Sequence, residues 1–160
     1  MITPIQLDQE ILGLWQTELM ENPLHINDQM RRIDYVRASI GDTLAGSQMA
    51  TVYEIRRGDE RCGIIMFHHI IDGLKATLSM LLWDARGWTP RAVREAKELI
   101  AKTMENHNLA RIGTETVDPR VRKMAEIIGF EFEGEKVNDF LCNGELLNTY
   151  VLGYVRGKED

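Results

Sequence analysis

The chain has 160 residues, 44% hydrophobic and 28% charged, with a formal net charge of −6. That length suits one domain spanning residues 1–160 and burying roughly 70% of its unfolded surface, while the acidic balance argues against a broad nucleic-acid-binding face. Cys62 and Cys142 form no CxxC or Cys/His cluster, no apolar run approaches a membrane span, and the amino terminus lacks the basic start of a secretory signal. The expectation is a cytoplasmic protein with reduced thiols, no metal site and no membrane partner.

Met1–Leu7 reads as a short opening strand. From Asp8, a good N-cap, Ile11, Leu12, Leu14, Trp15 and Leu19 recur at helical spacing until Asn22-Pro23 stops them. A second helix is expected from Asn27 or Asp28, with Met30, Ile33, Val36 and Ile40 inward and an end near Gly41. The period then changes. Met49–Arg56 alternates as a strand, Arg57–Glu60 turns, Cys62–Ile71 is an apolar strand, and Asp72-Gly73 signals a two-residue hairpin into a strand over Ala76–Trp83. Thr89 fits an N-cap and Pro90 fits the first helical position of a long helix, in which Val93, Ala96, Ile100, Thr103 and Met104 form the buried stripe. Arg94/Glu98 and Glu98/Lys102 are i,i+4 pairs on its wet face. Leu109–Val117 follows as a strand parallel to its predecessor.

The last third carries the strongest signal. Val121, Met124, Ala125 and Ile128 share one face of a short helix, and Gly129 stops it in the left-handed C′ position. Phe130 and Phe132 then alternate with Glu131 and Glu133 before Gly134. Phe130–Lys136 and Leu147–Val155 make a final antiparallel pair, with Asn143-Gly144 as a turn.

The G-F-E-F-E-G step and the order β-α-α-β-β-β-α-β-α-β-β resemble the GNAT superfamily of N-acetyltransferases. The resemblance implies an α/β (α+β) fold with a mixed central sheet of six to seven strands and four helices. It also implies acetyl-CoA as cofactor, its pantetheine arm on the backbone of Met80, Leu81 and Leu82. The family's pyrophosphate loop, Q/R-x-x-G-x-G/A, falls on Arg86, Thr89 and Arg91, with Gly87 out of register. Backbone amides and a helix start attract phosphate, so the bulkier residues weaken the cradle, and Arg86, Arg91 and Arg94 offset this by charge. The family's thiolate-protonating tyrosine corresponds to Ala125 and its asparagine to Asp118. Losing such an acid costs about 10²–10⁴-fold where nothing substitutes.

Asp84 and Glu115 are the candidate bases, although both also read as strand-end or surface acids. His68-His69 reads as structural and hydrogen-bonded, since consecutive strand residues face opposite sides and one ring must point away from the core or toward a helix. Tyr150 and Tyr154 read as packing residues, Trp83 as core, and Trp88 as a shield over the helix start.

Two functions fit. One is an acetyl-CoA-dependent N-acetyltransferase acting on a small-molecule or protein amine. The other, to which the altered loop and Ala125 incline the reading, is a weakly catalytic or non-catalytic chain. The W-T-P loop and compact ending are similar to phage-borne GNAT-like proteins of head assembly or the virion interior. That likeness implies other virion proteins as partners, in the host cytoplasm or the particle. In the second case side chains fill the opening between the fourth and fifth strands or block it near Arg91. An open groove along Met80–Leu82 speaks for the first.

Overall fold

A computed structural model describes residues 1–45 and 51–157. Its elements are β1 (Ile2–Pro4), α1 (Gln9–Glu21), α2 (Ile33–Ala45), β2 (Thr51–Arg57), β3 (Glu60–Ile71), β4 (Lys75–Leu82), α3 (Pro90–Asn106), β5 (Arg111–Thr116), α4 (Pro119–Ile127), β6 (Glu131–Cys142) and β7 (Glu145–Val155). The strands form one sheet in the order β1-β2-β3-β4-β5-β7-β6. Only β4 and β5 run parallel, because a whole helix joins them; the remaining neighbours are antiparallel.

Each face of the sheet carries its own core. Ala96, Ile100 and Met104 of α3, Ala125 of α4 and Ile128 at its C-cap pack on Ile65, Phe67, Leu78, Ile112 and Leu152. Ile11, Trp15 and Leu19 of α1 and Val36 and Ile40 of α2 pack on Val52, Ile64, Met66 and Leu81. The alternation Ile64/Met66 against Ile65/Phe67 is the two-residue period of a strand buried on both sides. Each fully buried aliphatic side chain contributes about 1.5–3 kcal/mol.

The caps are where local chemistry places them. Asp8 accepts from Ile11 N at 2.9 Å, Thr89 from Ala92 N at 3.1 Å, and Asp118 from Arg120 N at 2.9 Å. Gly129 closes α4 with φ +109°.

Several expectations shift. Residues Asn27–Met30 do not begin α2: Asp28–Met30 make a separate 3-10 turn, and Met30 and Ile33 are exposed. Asp28 is drawn instead onto the β6–β7 turn, where its carboxylate accepts from Asn143 N and Gly144 N at 2.8 Å each. The helix then continues past Gly41 to Ala45. Met49 and Ala50, assigned to the next strand, lie outside the described residues. The β3–β4 connection takes in Leu74 as well as Asp72-Gly73. On α3 the ion pair is Arg91–Glu95 at 2.8 Å. The final hairpin is longer than its apolar pattern, because β6 continues as an exposed edge strand to Cys142.

Candidate functional site

Strands β4 and β5 pair only over Lys75–Thr77 with Arg111–Gly113. Beyond that they part, and the Leu78 carbonyl is met by the Thr114 hydroxyl at 3.0 Å. Backbone groups of alternate strand residues point to one edge, so the amide and carbonyl of Met80 also face the opening. A cavity of about 370 Å³ occupies this split. On one face Val121 and Ala125 of α4 and Ile128 at its C-cap line it, and on the other Trp15, Leu19, Ser39, Ile40 and Met66 do. The cavity therefore passes through the sheet, which does not match the expectation of an opening filled by side chains.

Its polar lining comes from both ends of the chain. From the α1–α2 loop, His25 meets Glu18 of α1 at 3.2 Å, and that bond holds the Glu18 carboxyl below its ordinary range. Asp139 accepts from the buried Thr149 hydroxyl at 2.8 Å. Glu115 lines the cavity and pairs with Lys136 at 2.7 Å. The same loop and the β6–β7 hairpin are tied into a cover, since Asn27 accepts from Leu141 N at 2.6 Å and Asp28 takes the turn amides beyond it. Those Gly144 and Asn143 amides hold the Asp28 carboxyl below the usual carboxylate range.

His68 is buried and lines the cavity, with Nε2 2.7 Å from the Ser79 hydroxyl. Burial, reinforced by His69, pulls its pKa down to about 4, so the ring is neutral at neutral pH. The two histidines do not take opposite faces. His69 has φ +50° within an irregularity of the β3–β4 ladder, and the turned backbone brings its Nδ1 onto that of His68.

The loop into α3 is closed on itself. Arg86 N donates to Asp84 Oδ1 at 3.0 Å, and Gly87, Trp88 and Thr89 N donate to the carbonyls of Asp84, Ala85 and Gly87 at 3.1 Å each. Ala92 N goes to the Thr89 hydroxyl and Val93 N to the Thr89 carbonyl, while Pro90 has no N–H. Arg91 contributes the remaining amide of the first turn. Arg86 lies across Asp84 and Glu60, at 2.7 and 3.0 Å, and its hydrogen bonds lower the Asp84 pKa to about 2. Gly87 is buried against Cys62: a Cβ there would lie 2.4 Å from Cys62 Cβ.

Of the residues singled out from sequence, Met80, Leu81, Glu115, His68 and Ala125 border the cavity; Leu82, Asp84, Arg86, Gly87, Thr89 and Arg91 are not in its lining. Tyr150 and Tyr154 pack against Phe132 and Phe130, and Trp83 donates to the Arg61 carbonyl at 2.8 Å. Sequence reading missed His25, Asn27, Ser79, Thr114, Asp139 and Thr149, which only chain folding brings to one place.

No family model matches this sequence, and no curated protein sequence matches it. Among solved structures it is similar to spermidine N-acetyltransferase from Vibrio cholerae in complex with CoA and spermine. That match has TM-score 0.70 and 14% identity, and it covers 98% of this chain and 96% of the other. It is also similar to a probable GNAT-family acetyltransferase from Chromobacterium violaceum, with TM-score 0.67 and 16% identity, over 96% and 87% of the two chains. The chain has the GNAT fold. At these identities the likeness concerns the fold, and nothing in it speaks for a virion role. Among the described residues of this GNAT-fold chain, no helix is long and apolar enough to cross a membrane, and no group of His, Cys, Asp and Glu is arranged to hold a metal.

Proposed function

We propose that this chain is an acyl-CoA-dependent N-acyltransferase, with acetyl-CoA as donor and a cationic amine as acceptor. The observation that carries the reading is the split between β4 and β5, which opens a cavity onto both faces of the sheet. The donor supplies its acyl group as a thioester. Met80 offers an unpaired strand edge to the amide-bearing arm of that donor, beside the small side chain of Ala125. Asp139 gives the cavity a carboxylate to attract an ammonium group, beside the Glu115–Lys136 pair; the structure of one neighbour holds spermine.

The fit to the donor's diphosphate is poorer, because the amides at the start of α3 are taken up locally. Arg91 and Arg94, exposed on the first turns of α3, supply charge in place of amides. Thermal unfolding with and without acetyl-CoA tests this reading. At 100 times its dissociation constant the donor adds about 2.7 kcal/mol, a rise of about 5–10 °C for a domain of this length. Free thiol released in the presence of polyamines then measures turnover.

The closed loop and Ala125 favour a second reading, a GNAT-fold protein whose role is assembly, such as the virion role of the phage-borne likeness. An unchanged melting temperature and no thiol release would leave that reading standing and sink the first.

A further inference from the structure

Ser39 and Thr43 of α2 line two cavities: the central one, and a surface pocket of about 190 Å³ formed with Tyr35, Ala38, Asp42 and His69. His68 lines the inner cavity and His69 the outer one, and the rings touch with centroids 4.7 Å apart. Ser79 Oγ, His68 Nε2, His68 Nδ1 and His69 Nδ1 thus form a continuous hydrogen-bonded chain from the inner cavity to the exposed imidazole.

We infer that Ser79, His68 and His69 form a proton relay that carries the proton released by amine acylation from the central cavity to the surface pocket. This rests on the acyltransferase reading. An ammonium acceptor loses two protons when its nitrogen bonds to the acyl carbon and the carbon–sulfur bond breaks. One ends on the departing thiol sulfur, and the other has to leave the site.

The two hydrogen bonds admit two proton arrangements. In the first, the Ser79 hydroxyl donates to His68 Nε2, His68 Nδ1–H donates to His69 Nδ1, and His69 Nε2–H faces outward. In the second, His68 Nε2–H donates to Ser79 Oγ and His69 Nδ1–H donates to His68 Nδ1. Passing one proton outward converts the first into the second: Ser79 Oγ takes the acceptor's proton and gives its own to His68 Nε2. His68 Nδ1 passes its proton to His69 Nδ1, and His69 Nε2 releases one to water. No bond other than N–H and O–H changes. The surroundings suit this task. Buried His68 stays neutral at neutral pH, so it passes a proton instead of holding one. Asp42 and Tyr35 face the outer ring. Across the inner cavity stand His25, Asp139 and Glu115, and Glu115 is already engaged by Lys136.

The test is His69→Asn, because asparagine accepts a positive φ and does not relay protons near neutral pH. In dilute buffer its kcat for amine acylation should fall about tenfold with KM unchanged, and added imidazole should restore it. A 15N–15N coupling between the two Nδ1 atoms should appear in the wild type and vanish in the variant. A variant as fast as an active wild type in dilute buffer, or slow but not restored by imidazole, overturns the relay alone. A wild type that turns over no amine sinks the acyltransferase reading and the relay with it.

Discussion

Replacing Gly87 with alanine separates two roles for the loop between β4 and α3. A Cβ at Gly87 would lie 2.4 Å from Cys62 Cβ, 3.0 Å from its Sγ and 3.3 Å from Ile55 Cγ2. Carbon atoms pack best about 3.5–4.0 Å apart, so more than about an ångström has to be regained. The nearest atom is a Cβ fixed to β3, which leaves backbone movement as the main relief. Overpacking of this kind costs about 1–3 kcal/mol. For a chain of this length that is a fall in Tm of about 3–10 °C, readable by calorimetry or urea unfolding. Cys62→Gly removes both cysteine atoms, so Gly87→Ala should cost less in that background, with a favourable coupling of about 0.5–3 kcal/mol. The resemblance places Gly87 beside the diphosphate; the packing makes it a spacer between loop and sheet. A Gly87→Ala protein as stable as the wild type, yet with much weaker acetyl-CoA binding, would refute the packing argument.

Ala125→Tyr places a phenol against the cavity wall where the family carries its acid. It should raise kcat by about tenfold or more in steady-state thiol release, and an unchanged kcat would show that protonation of the sulfur is not limiting. Asp28→Ala removes the acceptor of the Asn143 and Gly144 amides, so both should exchange faster with deuterium while amides of the central strands do not change. Asp8 has its pKa lowered from 3.8 to about 2, first by its hydrogen bond from Arg61 and then by the Ile11 amide. A depressed folded-state pKa stabilises above the unfolded value and is lost as pH falls through the folded one. Wild-type Tm should therefore drop more steeply between pH 4 and 2 than that of Asp8→Asn; parallel curves would contradict the assignment.

The sequence by itself determined the elements that local chemistry encodes. Asp8 and Thr89-Pro90 start helices because their side chains or missing N–H suit a helix terminus, and Gly129 ends one because it tolerates φ +109°. The order of elements followed, and with it the fold. Tertiary structure alone decided the rest. Met30 and Ile33 look like core at helical spacing, but Asp28 is claimed by a turn 115 residues away along the chain, and the helix starts later. Consecutive histidines in a strand belong on opposite faces until an irregularity at His69 turns one ring onto the other. Gly87 stands in the loop but out of register with the family's glycines, and only Cys62, from another strand, shows why a glycine is there, by taking the space a side chain would need. The cavity gathers His25, Ser79, Thr114 and Asp139 from separate elements, and none stands in a spacing that marks it. Caps and periods act within a few residues, whereas a site is made by groups that share no local geometry until the sheet assembles.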